Sequence, residues 1–554
     1  MGRVRLRPRG RRPPAGARRP DRLLPRSAVG VSEWWRDAVF YEIYVRSFAD
    51  SDGDGLGDLP GIRARLPYLR ELGVDAIWLT PFYPSPDFDH GYDVADFLAV
   101  DPRFGTLTDF DALVADAHAL GIRVVVDIVP NHTSITHEWF RNALADPRHP
   151  DRARYVFRPG RGGGPPNNWP SNFGGPAWTL DERSGEWYLH LFAPEQPDLD
   201  WHNPAVRSDF ERILRFWLDR GVDGLRIDVA HGLFKDPELR DEAEPAPDGE
   251  LFSSDRRAAI DRPELHPLYR RWRRLADGYE GDRVLIGEVM LTDPRRVADY
   301  VRPDELHLAF NFTLLFQPWE RDALRDAIER TLSALGAVGA SATWVLENHD
   351  VGRLPTRYGG GEQGRRRARA AALLLLALPG AAFLYAGQEL GLETVELPPE
   401  LRQDPVFVHT RGARVGRDGS RVPLPWQREL PAFGFTAGTP WLPVPETWAS
   451  ACVDAQVEDA SSTLTLYRSA IAARRVSGAL RRGWFAWVDS PPGTLVFERA
   501  AEDERVVCLV NVAGAPLGLP YGELMLVSEP DVREALGAGT AAWVRVVTRR
   551  RASR

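Results

Sequence analysis

The sequence predicts an α/β fold: a TIM-type (β/α)8 barrel with an inserted lid subdomain after the third strand and a C-terminal antiparallel β domain. Three observations lead to this prediction. From residue 38 onward, eight short β-branched runs alternate with amphipathic helical patterns. About seventy irregular residues follow the third run, which is too long for a plain loop in a compact domain. Strand-like runs such as TLVFERA and RVVCLVNV come last.

The eight strand candidates are short runs rich in β-branched and aromatic side chains. The helical patterns between them, such as GIRARLPYLRELG (61–73) and FDALVADAHALG (110–121), end at a glycine, which readily closes a helix. Periodicity alone does not separate a barrel from an open doubly wound sheet, so the count of eight favours the barrel. The candidates are FYEIYVRSF (40–48), DAIWLTPF (75–82), RVVVDIVPN (123–131), DGLRIDV (223–229), RVLIGEV (283–289), LHLAFNF (306–312), ATWVLENH (342–349) and AFLYAGQ (382–388).

The domain boundaries follow from the same patterns. The predicted barrel occupies residues 31–131 and 202–476 and contains an irregular insertion at 394–447. Residues 132–201, rich in Gly, Pro, Asn and Trp, form the inserted subdomain B. The helix TLTLYRSAIAARR (463–475) ends the barrel, and residues 477–554 are predicted to form a C-terminal β-sandwich domain.

Charge and composition exclude several classes of partner. The first thirty residues hold ten arginines and one acidic residue, a net charge of +9; the whole chain carries −8, which leaves −17 for the remainder. We expect residues 1–30 to be a disordered Arg/Pro-rich extension and the acidic body not to bind nucleic acid. No apolar run reaches membrane-spanning length, and two cysteines form no disulfide framework. These features predict a cytoplasmic protein without a membrane partner, as a monomer or homodimer.

A charged pair lies inside the fourth strand candidate, in DGLRIDVAHG (223–232). Arg226 and Asp228 are two residues apart, so on a strand they point to the same face. One interpretation is a structural ion pair. The other is a nucleophile that the guanidinium keeps ionised and oriented. From this run alone the two interpretations are equally good.

Other polar side chains occur at the carboxyl ends of the predicted strands, where such barrels place their active sites. Because these ends converge, we expect the side chains to meet and favour the catalytic interpretation of Asp228. They are the acidic run DSDGDGLGD after the first strand, Asp127, Asn131 and His132 at the third, Glu288 at the fifth, and Asn348, His349 and Asp350 at the seventh.

Together these runs resemble the α-amylase family, glycoside hydrolase family 13, from about residue 34 to near the C-terminus. The resemblance rests on DIVPNH (127–132), GLRIDVAH (224–231), GEV (287–289) and ENHD (347–350). The run QPDLDW (196–201) is similar to the form found in α-glucosidases and oligo-1,6-glucosidases, and the run after the nucleophile looks more like that of actinobacterial α-glucosidases.

The resemblance implies a role for each polar residue. Asp228 would be the nucleophile that forms a covalent glycosyl-enzyme, with Arg226 keeping it ionised. Glu288 would be the acid/base, a role that needs a raised pKa, with its carboxyl about 5–5.5 Å from that of Asp228. Asp350 would stabilise the transition state, and His132 and His349 would hydrogen-bond the same sugar ring.

Two further motifs imply an exo-acting pocket. In PDFDHGYDV (86–94), Tyr92 would stack under the terminal sugar, with Asp89 and His90 lining the subsite. In RDGSRVPLPW (417–426), Arg421 would pair with Asp89 and close the far end of the pocket.

The acidic run after the first strand resembles the first part of a calcium loop, although Gly61 takes the twelfth position and excludes an EF-hand. We expect a structural Ca²⁺ site there, with Mg²⁺ as an alternative and a solvated acidic turn as the structural interpretation. The ligands would be Asp50, Asp52, Asp54, Leu56 (through its carbonyl) and Asp58.

The sequence therefore predicts a retaining exo-α-glucosidase that hydrolyses short α-linked oligosaccharides. An α-transglucosylase or a sucrose- or trehalose-converting enzyme is the alternative within the family, and a non-catalytic amylase-like subunit is the alternative outside it. Val229, next to the nucleophile, is associated with α-1,6 preference in oligo-1,6-glucosidases, but the following AHGL departs from their pattern. The expected linkage preference is therefore α-1,4, with α-1,6 as the alternative.

Overall fold

The computed structural model describes residues 33–242, 258–501 and 504–546, so the predicted extension at 1–30 lies outside the described residues. Eight parallel strands form one sheet, with β4–β6 belonging to the inserted subdomain. The barrel strands are β1 (Val39–Ile43), β2 (Ala76–Leu79), β3 (Arg123–Ile128), β7 (Gly224–Ile227), β8 (Val284–Gly287), β9 (Leu308–Ala309), β10 (Thr343–Val345) and β11 (Ala381–Tyr385).

The sheet curves into a nearly closed barrel. Its order is β10-β11-β1-β2-β3-β7-β8-β9, and a parallel bridge between Asn311 and Trp344 joins the two ends. The predicted (β/α)8 fold is confirmed. The strands are shorter than the predicted runs because their carboxyl ends bend into the loops that carry the polar residues.

The helices surround the barrel. The predicted helix 61–73 is split into α1 and α2, because Pro67 lacks an N–H and its ring would meet the preceding turn. Helix α2 ends at Gly73, whose φ of 93° is left-handed. The helices are α1 (Leu59–Ala64), α2 (Leu66–Leu72), α3 (Leu107–Ala119), α4 (Glu138–Ala145), α5 (Pro204–Asp219), α6 (Leu265–Asp277), α7 (Pro294–Asp299), α8 (Phe312–Leu315), α9 (Arg321–Ala337), α10 (Leu354–Arg357), α11 (Gly361–Ala377), α12 (Pro405–His409), α13 (Val453–Val457), α14 (Thr463–Val476) and α15 (Gly478–Arg482).

Alternate residues of each barrel strand fill the interior. Phe40 stacks on Phe383 with ring centroids 4.3 Å apart, and Trp78 and Ile286 belong to the same apolar cluster. Intervening residues such as Tyr41 belong to the larger cluster that includes residues of the surrounding helices. The barrel floor is therefore apolar, and polar side chains begin near the carboxyl ends.

The inserted subdomain follows β3. It holds a three-stranded antiparallel sheet, and bridges join Tyr155 to Leu199 and His132 to Asp198. These bridges place the segment around Asp198 beside the end of β3. The strands are β4 (Phe157–Pro159), β5 (Trp178–Asp181) and β6 (Glu186–Leu189).

The C-terminal domain is antiparallel. A five-stranded sheet and a two-stranded sheet share an apolar cluster to which Val507, Leu517 and Leu536 contribute. The strands are β12 (Trp484–Trp487), β13 (Thr494–Ala501), β14 (Glu504–Asn511), β15 (Leu517–Gly518), β16 (Glu523–Val527), β17 (Ala535–Leu536) and β18 (Thr540–Arg545). Across the described residues, no helix has both the length and the apolar character needed to cross a bilayer.

Candidate active site

A pocket of about 870 Å³, including its open mouth, lies at the carboxyl ends of the barrel strands. Seven of the ten predicted catalytic and substrate-binding residues line it, whereas Arg226, His90 and Arg421 lie behind its wall. The lining residues are Asp89, Tyr92, His132, Asn172, Phe173, Leu191, Phe192, Asp228, Val229, His231, Ala259, Ile260, Glu288, Met290, His349, Asp350 and Arg417.

One buried guanidinium serves three carboxylates at this pocket. Arg226 and Asp127 are register partners on β7 and β3, and their Nη1 and Oδ1 atoms are 3.0 Å apart. Arg226 Nη1 also donates to Asp228 Oδ1 at 2.5 Å, and its Nη2 lies 3.0 Å from Glu288 Oε2. Asp228 directly follows β7 and Glu288 directly follows β8, so strand geometry brings the pair together.

Burial and charge have opposite effects on the carboxylates of this cluster. Burial raises the pKa of Asp228 well above its usual range, Arg226 opposes that shift, and Glu288 and Asp127 add to it. Burial likewise raises the pKa of Asp127 to about 6, against the effect of Arg226. Arg226 thus acts on Asp228 in the predicted direction, while burial and the neighbouring carboxylates act against it.

The residue after Asp228 has a strained backbone. Val229 has a φ of 45°, which a β-branched residue rarely adopts, and its N–H donates to Glu288 Oε2 at 3.0 Å. Gly232 accommodates this turn, because a Cβ there would lie 2.7 Å from Val229 Cγ1. The strained turn thus orients the Glu288 carboxylate.

His349 is fixed from three sides. Its Nδ1 hydrogen-bonds the buried Glu42, and its Nε2 lies 3.4 Å from Asp350 Oδ2. Its ring is nearly parallel to that of Tyr92, with centroids 5.3 Å apart. Burial would raise the pKa of Asp350, but His349 and nearby arginines outweigh it and hold that pKa well below its usual range. Asp350 is therefore an ionised carboxylate on the pocket wall.

The residue that pairs with Asp89 is Arg417, so the prediction that Arg421 does so is wrong. Arg417 Nη2 donates to Asp89 Oδ1 at 2.7 Å, and its Nη1 donates to Asp350 Oδ1 at 3.0 Å. Arg421 is fully buried; it donates to the His349 carbonyl at 2.9 Å and to Asp350 Oδ1 at 3.1 Å. A 3-10 turn over Asp418–Ser420 separates the two arginines and gives them different directions.

The remaining predicted ring ligands have distinct positions. Burial lowers the pKa of His132 to about 4, so its imidazole is neutral at pH 7. His90 lies behind the pocket, where Arg421 Nη1 is 3.3 Å from its Nδ1. Gln196 donates to Asp89 Oδ2 at 3.1 Å. Gln196 is the first residue of the motif QPDLDW, but no role was predicted for it from the sequence.

The acidic loop after β1 brings three of its predicted ligands together. Carboxylate oxygens of Asp50, Asp52 and Asp58 lie within 4.8 Å of one another. Asp54 stands outside this group, and its Oδ1 accepts from the N–H of Leu56 at 2.7 Å. Asp58 also accepts from the N–H of Gly61 at 2.6 Å and thereby caps α1. Three clustered carboxylates fit a hard divalent cation.

Comparison with known proteins places this geometry in a family. The α-amylase catalytic-domain model matches residues 42–483. An oligo-1,6-glucosidase of Parageobacillus thermoglucosidasius is 36% identical, covering 91% of this chain and 96% of the relative. A probable α-glucosidase of Rhizobium meliloti (strain 1021) is 39% identical, covering 87% and 90%. A solved α-glucosyl transfer enzyme is 40% identical with a TM-score of 0.85, covering 92% and 99%. The chain belongs to the α-amylase family, glycoside hydrolase family 13.

Proposed function

We propose that the protein is a retaining exo-α-glucosidase that releases terminal glucose from short α-linked oligosaccharides. The observation that supports this most directly is the pocket itself. Asp228 and Glu288 bind the same guanidinium, and the Asp89–Arg417 pair lies on the same wall. Carboxylate oxygens and guanidinium N–H groups form hydrogen bonds with sugar hydroxyls. Because the ion pair closes one side of the pocket, binding of the end of a sugar chain is favoured over binding of an internal sugar unit.

The residues perform the reaction in two steps. Asp228 attacks the anomeric carbon of the terminal glucose while Glu288 protonates the glycosidic oxygen, and the leaving group departs. Glu288, now ionised, removes a proton from water, which attacks the same carbon and breaks the bond to Asp228. Two inversions retain the α configuration. Asp350, ionised beside the ring, stabilises the positive charge that develops in both transition states.

Transglucosylation is the second candidate, and apolar side chains on the pocket wall favour it. Phe192, Ile260 and Met290 line the pocket and offer an apolar surface on which an alcohol acceptor could displace water. Val229, which the family resemblance associates with α-1,6 preference, also lines the pocket, and this supports a role for it in linkage choice.

Glucose release from maltose, isomaltose, sucrose and trehalose by the purified chain tests the proposal. With p-nitrophenyl α-D-glucoside, whose only glucose is the transferred one, we expect α-glucose as the first product, observed by NMR before mutarotation. Release of β-glucose would contradict a retaining mechanism. No release from any of the four, with calcium present, would overturn the hydrolase.

We further propose that Asp50, Asp52 and Asp58, with Asp54 and the Leu56 carbonyl, hold Ca²⁺, with Mg²⁺ as the alternative. The three clustered carboxylates support this, and the ion would brace the loop between β1 and α1. Chelation with EDTA, which removes both ions, should lower the Tm, and added Ca²⁺ should restore it more than Mg²⁺ does. An unchanged Tm would contradict the site.

The cytoplasm is the proposed compartment, and a monomer or homodimer the proposed assembly. Cys452 and Cys508 are both buried and unpaired, which suits a reducing environment.

A further inference from the structure

Lys235 is the one lysine of a chain that contains 70 lysine and arginine residues in total. It lies seven positions after Asp228, and only 4% of its surface is exposed. The one lysine of this chain therefore lies buried beside the active site. The contacts of its ammonium group indicate its role.

The ammonium meets three acceptors from three segments of the chain. Nζ donates to Asn131 Oδ1 at 2.7 Å and to the Gly232 carbonyl at 2.6 Å. It also lies 2.7 Å from Asp198 Oδ2, a fully buried carboxylate. These acceptors belong to the end of β3, the loop after the nucleophile and the inserted subdomain. A compact ammonium with three donors serves converging acceptors, whereas the donors of a guanidinium lie in one plane.

Asn131 links the Lys235 ammonium to His132, a residue of the pocket wall. Because Asn131 Oδ1 faces the ammonium, its amide nitrogen faces His132 Nδ1, at 3.1 Å. The neutral His132 ring accepts this hydrogen bond at Nδ1, and its Nε2 lies 3.2 Å from the Tyr92 carbonyl and 3.1 Å from the Gln196 amide nitrogen. Through Asn131, Lys235 thereby helps to set the orientation of a residue on the pocket wall.

Asp198 links the Lys235 ammonium to the inserted subdomain. Asp198 accepts from the N–H of Leu191 at 2.9 Å, and its backbone bridges to His132. Two residues earlier, Gln196 binds Asp89, and Leu191 itself lines the pocket. The ammonium thus connects the subdomain wall of the pocket to the strand-end wall.

We propose that Lys235 is a positioning residue of the glucosidase site, which orients His132 through Asn131 and fastens the inserted subdomain over the bound sugar. This inference rests on the proposed function. It predicts that the ammonium senses occupancy of the sugar pocket although it does not line it.

The single lysine makes a direct test possible. In the full chain labelled with [¹⁵N]lysine, we expect one slowly exchanging Nζ signal, which shifts when D-glucose saturates the pocket. A signal that stays in place at saturating D-glucose would overturn the proposal, as would rapid exchange typical of an exposed ammonium.

Two substitutions separate positioning from folding. Lys235→Met and Lys235→Arg should each lower kcat/KM at least about ten-fold, with a rise in KM and in the inhibition constant of D-glucose. Arg161→Met, an exposed position in the same subdomain, is the control and should match the wild type. If K235M shows wild-type kcat/KM and glucose inhibition, or K235R restores both, the proposal fails.

The outcomes distinguish this inference from the proposed function. A wild-type chain that releases no glucose refutes the glucosidase, whereas an active wild type with an equally active K235M refutes only the role of Lys235. If the K235 variants do not fold, the Nζ response of the wild type to D-glucose decides.

Discussion

The two ends of the barrel carry the same kinds of charged residue in opposite balance. At the amino end, Arg474 donates to the carbonyls of Leu376, Leu378, Asp37 and Gly380, and Asp37 accepts from Arg481 at 2.7 Å. At the carboxyl end, Arg226 is shared by three buried carboxylates. Cationic donors are in excess at one end and carboxylates at the other.

The two ends therefore have different roles, a structural one at the amino end and a catalytic one at the carboxyl end. Burial lowers the pKa of Arg474 to about 10, yet its guanidinium donates to backbone carbonyls of two separate segments, so the group stabilises the packing of these segments. Burial raises the pKa of Asp228, and the neighbouring carboxylates of Glu288 and Asp127 add to that rise. A group held in excess of its partners is available for reaction.

The largest expected effect comes from replacing the nucleophile, which tests the catalytic role of the carboxyl end. Asp228→Asn should lower kcat by about 10⁴-fold or more, because no covalent intermediate forms. It should also raise the Tm, since it removes one of three competing carboxylates. A variant that retains activity contradicts the assigned nucleophile, and one whose Tm falls contradicts the excess of negative charge.

Replacing Arg474 at the amino end should lower stability and leave activity unchanged. Arg474→Met leaves buried carbonyls without a donor and should lower the free energy of unfolding by about 3 kcal/mol. The kcat of the folded enzyme should stay at the wild-type value, measured below the onset of unfolding. A lowered kcat with unchanged Tm would show that the amino end is not merely structural.

The smallest expected effect concerns pH. The nucleophile reacts when ionised, so kcat/KM should fall as pH drops through the raised pKa of the Arg226 cluster. Asp127→Asn removes a neighbouring negative charge, so it should lower the pKa of Asp228 and move the acidic limb to lower pH. The shift should be about one pH unit. A limb that moves to higher pH, or not at all, would contradict the coupling.

Sequence reasoning went furthest where short motifs fix strand ends. Asp228, Glu288 and Asp350 follow strands whose number and order set their convergence, so their grouping follows from topology. It failed for Arg417 and Arg421, because both lie in one irregular loop and only the packing of the 3-10 turn decides which reaches Asp89. Glu42 was missed because it lies within β1, without a motif, and only barrel closure brings it to His349. The raised pKa of Asp228 depends on counting buried partners, which no local pattern supplies.

The most direct test of the account is to trap the covalent intermediate. A slow fluorinated α-glucosyl fluoride should add one fluoroglucosyl group to the intact enzyme, and peptide mass spectrometry should locate it on Asp228. An active enzyme that carries the group on another residue, or that turns over this reagent with inversion and no adduct, would contradict the central claim.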